Sequence, residues 1–168
     1  ENGAPSAINE DGNTVFTLKN AKVVLKFREK LAGFVVENMK CGFVNTDGEV
    51  VINPQFSKIN SFCEGKAAVG DDKNKWGYIN KDGQIVINYQ FEEAKKFNNG
   101  IAAVKSNGKW GLIDVDGKYI VNPQFDYINE DGNIYIISQS GKYGWCNKDG
   151  EILINPQFDD ALGFRSND

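Results

Sequence analysis

Apolar runs of three or four residues, each closed by a short polar turn that usually contains glycine, recur along most of this chain. Phe34-Val35-Val36, Ala67-Ala68-Val69, Ile101–Val104 and Ile134–Ile137 form one set of such runs. The turns after them include Ser106-Asn107-Gly108 and Gln139-Ser140-Gly141, where Asn-Gly supplies the positive φ that a tight hairpin needs. The next stretch alternates: Trp76, Tyr78 and Asn80 fall on one face, Gly77 and Ile79 on the other. An Asp-Gly pair then reverses the chain into a third run, Val50-Val51-Ile52, Ile85-Val86-Ile87, Tyr119-Ile120-Val121 or Ile152-Leu153-Ile154. Three apolar neighbours cannot share one face, so this strand is expected to be covered on both. Asn-Pro is expected to end it, since proline has no ladder donor.

The wording itself repeats. Cys41-Gly42-Phe43-Val44-Asn45-Thr46-Asp47-Gly48 returns as Trp76 to Gly83, as Trp110 to Gly117 and as Tyr143 to Gly150. The first glycines stand at 42, 77, 111 and 144, steps of 35, 34 and 33 residues. A period in this range signals a stack of supersecondary units, each burying its apolar face on its neighbours. Phe56 to Phe62, Phe91 to Phe97 and Phe158 to Phe164 keep a common spacing. That connector reads as a bend with room for a single helical turn, its phenylalanines pinning one unit to the next.

The pattern divides residues 1–168 as one array: a degenerate half-unit at 1–26, units at 27–61, 62–96, 97–127 and 128–163, and the start of a further unit at 164–168. Ile8-Asn9-Glu10-Asp11-Gly12 matches Ile79 to Gly83, with Val15-Phe16 on the third strand. Ile128 to Gly132 copies the same words out of register and is read as coincidence. Without a polar terminal unit, the array is expected to continue in a longer chain or to pair its ends.

Composition narrows the field. The chain has 40% apolar and 12% aromatic residues, as a folded protein does. Its net charge of −4 and the lack of a basic cluster argue against nucleic acid. No apolar run reaches the roughly 18 residues a membrane span requires. Three cysteines cannot all pair within one chain, and Cys41 and Cys146, in slots that other units fill with Trp or Ile, read as small buried hydrophobes.

Catalytic chemistry finds little to use. There is no histidine, the commonest general base and zinc ligand near neutral pH. Glu92-Glu93 and Asp159-Asp160 recur at equivalent positions, as a solvated bend would, whereas an acid–base pair is made once. Asn45-Thr46-Asp47-Gly48 and its copies echo a calcium loop, but Phe43, Tyr78, Leu112 and Trp145 stand where a ligand oxygen is needed. No catalytic residue, metal ligand or cofactor site is therefore assigned. The aromatic residues read as filling between units, with Trp145 the exception best placed to meet a ligand. Gln55, Gln90, Gln124 and Gln157 are expected to bond the backbone after proline.

With Lys75-Trp76-Gly77-Tyr78-Ile79 and Lys109-Trp110-Gly111-Leu112-Ile113, followed by Asp-Gly and Asn-Pro-Gln-Phe, the chain resembles the WG repeat family, also called KWG repeats. Lys142-Tyr143-Gly144-Trp145 moves the indole two places, and Cys41 replaces it in the first unit. The repeat signature comprises Trp76, Gly77, Trp110, Gly111, Tyr143, Gly144 and Trp145, with the turns Asp47-Gly48, Asp82-Gly83, Asp116-Gly117 and Asp149-Gly150. The resemblance implies a module with no assigned catalytic activity. The expected fold is all-β, antiparallel three-stranded repeats of about 34 residues in an open, solenoid-like array, with a closed propeller-like ring as the alternative. The expected role is non-catalytic binding of a protein partner, with carbohydrate or cell-wall binding through the aromatic residues as the alternative. An extracytoplasmic or secreted location is favoured over the cytoplasm.

Overall fold

The computed structural model describes residues 6–8 and 14–161. Among them every regular element is a strand. The chain falls into two compact units, Glu1–Gln90 and Phe91–Asp168. The Asp11-Gly12 turn and the Phe164 start of a further unit lie outside the described residues.

In the first unit, β1 (Ser6–Ile8) and β2 (Thr14–Thr17) form a two-stranded sheet. Next comes a four-stranded sheet of β3 (Ala21–Val24), β4 (Leu31–Val36), β5 (Cys41–Asn45) and β6 (Val50–Phe56). Then follow β7 (Lys58–Ile59), β8 (Ala67–Gly70), β9 (Trp76–Ile79) and β10 (Ile85–Phe91) in the second such sheet. The other unit holds the third sheet, β11 (Glu93–Ala94), β12 (Ala102–Ser106), β13 (Lys109–Ile113) and β14 (Tyr119–Phe125). Its fourth sheet is β15 (Tyr127–Asp131), β16 (Ile134–Gln139), β17 (Lys142–Asn147) and β18 (Ile152–Phe158). All four are meanders in which sequence neighbours pair.

Four strands per sheet, not the expected three, is the main correction. The extra strand lies in the segment read as a bend. In the second sheet it makes only the pairs Lys58↔Gly70 and Ile59↔Val69, in the third only Glu93↔Lys105 and Ala94↔Val104. Two ladder positions leave no periodic apolar signal. In the fourth sheet the segment dismissed as coincidence, Ile128 to Gly132, supplies most of β15 and a residue of its hairpin turn.

Nor does Asn-Pro stop the last strand. Cys41↔Phe56 and Phe43↔Ile52 are two positions apart on β5 but four apart on β6, so β6 bulges at Asn53–Gln55. The same shift separates Trp110↔Phe125 from Leu112↔Val121, and Tyr143↔Phe158 from Trp145↔Ile154. A proline is tolerated at a bulge of an edge strand, where no ladder donor is lost.

The bulge accounts for the glycine of the repeat signature. A Cβ on Gly111 would lie 2.4 Å from the Val121 carbonyl oxygen and 2.9 Å from the Pro123 nitrogen. The outgoing backbone crosses directly over that position, and only a hydrogen fits there.

Buried side chains glue sheet to sheet. Phe43, Ile52 and Phe56 of the first sheet share one core with Phe62, Val69 and Ile79 of the second, the Phe43 and Phe62 rings meeting edge to face at 4.8 Å. In the other unit Trp110, Leu112 and Phe125 join Ile128, Ile137 and Cys146.

Candidate interaction surface

The residues of the repeat signature serve the scaffold in different ways. Trp110 and Trp145 are each 8% exposed, and Trp76 and Tyr143 are half-buried. Trp145 is thus not the exposed exception expected of it. Its ring meets Phe158 edge to face at 5.7 Å. Trp110 faces two ammonium groups, Lys95 at 5.3 Å and Lys105 at 5.8 Å from the ring centre. The signature lysines reach forward: Lys109 pairs with Asp126 and Lys142 with Asp159. Asp126 also accepts the Ser140 N–H, and the Lys109 ammonium, with this N–H, holds its carboxyl below the usual carboxylate range.

Each Asp-Gly turn is more elaborate than a plain reversal. Asn45 Oδ1 accepts the N–H groups of Asp47 (3.0 Å) and Glu49 (2.9 Å), and Gly48 follows at φ +86°. Asn80, Asp114 and Asn147 repeat the arrangement. This is a type I turn closed by a left-handed glycine, built around a side chain that replaces a turn of backbone. The oxygen a calcium ion would need is already engaged by N–H donors. Asp47, Asp82, Asp116 and Asp149 point outward and are exposed.

The carboxylate pairs are likewise part of the frame. Glu92 accepts the Gly108 N–H at 2.9 Å, and Glu93 pairs with Lys105 at 2.9 Å. Among the described residues no three His, Cys, Asp or Glu side chains converge as a metal site, and no helix is long and apolar enough to cross a membrane. Cys41 and Cys146 are buried and all three thiols are free. Burial pushes the Cys146 thiol up to about 11.

What the sheets present to solvent is their last strand. Val50-Val51, Ile85-Val86, Tyr119-Ile120 and Ile152-Leu153 are between 37% and 53% exposed, while Ile52, Ile87 and Val121 are 3–5% exposed. The expected cover on both faces is absent at the first two positions of every triplet. An edge strand has a neighbour on one side only, so side chains of both faces reach water. Within the bulge, Gln55, Gln90, Gln124 and Gln157 are exposed, as are Asn53, Asn88, Asn122 and Asn155. Among the described residues none of these glutamines makes the backbone bond expected of it. Each sheet therefore repeats one surface: an apolar pair, then two amides, along a strand whose outer main-chain edge is open. Sequence patterning missed it because an apolar triplet in an edge strand looks the same as one in a buried strand.

Comparison with known proteins places these features. The WG containing repeat model matches residues 42–74, 76–110, 110–143 and 143–168. No curated protein sequence matches the chain. Among solved structures, the computationally designed Ika8 protein aligns with 85% of this chain at TM-score 0.56 and 12% identity, using 52% of its own length. Kluyveromyces lactis Hsv2 aligns with 84% at TM-score 0.58 and 9% identity, over 52% of its own length. BamB from Moraxella catarrhalis aligns with 84% at TM-score 0.51 and 10% identity, over 54%. The chain thus spans about half the length of the solved chains it resembles, and at such identities the likeness concerns fold alone. Four tandem matches, on sheets whose glycines and Asx turns recur in register, make this chain a member of the WG containing repeat family.

Proposed function

We propose that this protein is a non-catalytic interaction module whose last strands present a repeated surface to a protein partner. The observation that carries the reading is the exposed apolar pair followed by exposed Asn and Gln, recurring in all four sheets. An open strand edge offers main-chain donors and acceptors, and apolar side chains beside it add burial, the two ingredients of recognition by strand addition. Monomeric proteins generally blunt such edges with charge; here the pairs are aliphatic or aromatic in every copy. The carbohydrate alternative loses its motive, since two of the three indoles meant to stack on sugars are buried.

The test places a photo-crosslinking residue at Val86 or Ile120, with Lys73 and Asn107 as turn controls, in the cells that make the protein. A single protein captured at the strand positions is then purified and titrated. It should bind the wild type and lose at least about tenfold in affinity for the combined Val51→Lys, Val86→Lys, Ile120→Lys, Leu153→Lys variant. Equal affinity for a variant with wild-type circular dichroism overturns the reading, as does capture at the turn controls alone.

A further inference from the structure

The first unit departs from the repeat at two neighbouring places. Eight residues beyond the glycine of an Asp-Gly turn stands a phenylalanine: Phe56 after Gly48, Phe91 after Gly83, Phe125 after Gly117 and Phe158 after Gly150. In the first three sheets that ring is buried, 4%, 0% and 2% exposed. The same step from Gly12 reaches Asn20, which is exposed. The other departure ends β4. Val36 donates its N–H to the Lys40 carbonyl as Asp71 does to Lys75, and Ser106 and Gln139 take the same place opposite Lys109 and Lys142. Three sheets are polar there, and only the first is apolar.

Both departures line one cavity of about 280 Å³. The turn at residues 18–21, closed by the Ala21 N–H on the Leu18 carbonyl, makes one wall. Phe34 and Val36 of β4 make the next, and Val50 and Pro54 of β6 the third. Phe34 stands opposite Gly42 as Val69 stands opposite Gly77, and Phe56 shares a core with Val69. A ring at position 20 would therefore fill this space, and Asn20 leaves it open. Val50 pairs with the buried Val44, so it shares the face that looks into the cavity, and it is 46% exposed. β6 ends its sheet with a free outer edge.

We propose that this cavity receives a large apolar side chain from an extended partner segment that adds to the outer edge of β6 and carries an acidic residue beside that anchor. The inference rests on the strand-addition reading of the last strands and names the chemistry of what one of them takes. Side chains of an added strand alternate between faces, so one of them falls beside Val50 at the mouth of the cavity. Main-chain bonds to an edge are indifferent to sequence, and a side-chain pocket supplies the choice. Lys19 is the one charged residue of the lining, and among the described residues no ion pair engages it. An acidic neighbour is thereby favoured over a basic one.

A phage-displayed library of random linear peptides, panned on the whole chain and followed by anisotropy titration of the most enriched sequence, tests this. Enriched sequences should share a large apolar residue next to an acidic one. Asn20→Phe and Val36→Asp should each weaken the peptide by about tenfold or more, and Lys19→Glu by about threefold. The first two install residues that other sheets hold at the same place, so both variants are expected to fold, as their thermal midpoints will show. The combined Val86→Lys, Ile120→Lys, Leu153→Lys variant leaves β6 untouched and should bind as the wild type does. No sequence enriched above panning without protein, enrichment without a shared apolar residue, or wild-type affinity in both pocket variants overturns the site. The strand reading is judged separately, by whether the captured protein needs the last strands.

Discussion

Met39 occupies a position that favours glycine or asparagine. It lies in the loop between β4 and β5 at φ +62°, with its N–H bonded to the Val36 carbonyl, and its side chain is 63% exposed. Asn74 stands at the equivalent point of the next sheet at φ +59°, with its N–H on the Asp71 carbonyl. The left-handed conformation costs an ordinary side chain about 1–2 kcal/mol, and nothing buried compensates Met39. Glycine removes that strain but adds about 0.5–1 kcal/mol of unfolded-state freedom. Met39→Gly should therefore raise the thermal midpoint by about 2–3 °C, with Met39→Asn in between. A lower midpoint for the glycine variant would show that Met39 makes contacts worth more than its strain.

Among the elements, legibility in the sequence followed length and punctuation. The second and third strands of each sheet were readable, because Trp-Gly alternation and Asp-Gly turns mark them on both sides. The first strand was not: Lys58-Ile59 and Glu93-Ala94 are too short to carry a period, and their pairing comes from the sheet that receives them. The last strand was found but misjudged. Proline was taken as its end when a bulge lets Val50–Phe56 run on, and edge position rather than composition leaves Val50 and Val51 in water. The signature residues were legible as a pattern. The indole at Trp110 couples elements most directly, since its core holds side chains from β13, β14, β15 and β16. Trp110→Ala should cost about 3–5 kcal/mol and speed amide exchange in β15 and β16 as well as in β13. Faster exchange confined to β13 would mean that the sheets are held together elsewhere.

For the chain as a whole, the response to alkali follows from groups kept neutral by burial. Cys146 is pushed to about 11 from an ordinary 9.0, and Tyr78, fully inside the first unit, lies well above its ordinary 10.0 for the same reason. Both folded values are raised, so the unfolded chain gives up these protons first. Their contribution to stability is complete below pH 9 and is lost as pH rises, through 9 to about 11 for the thiol and from 10 upward for the phenol. Lys95 acts in the opposite sense. Burial lowers its value below 10.5, opposed by Glu130 and Glu93, so stability rises as pH climbs from the folded value to 10.5. Two deeply buried groups outweigh one half-buried ammonium that still bonds a carbonyl. Urea midpoints should thus fall between pH 8.5 and 10.5, and the fall should be shallower in Cys146→Ala once referred to its own value at pH 7. A midpoint level across that interval in both proteins would mean that Tyr78 and Cys146 reach water in the folded state, and the close contact between neighbouring sheets would have to be abandoned with them.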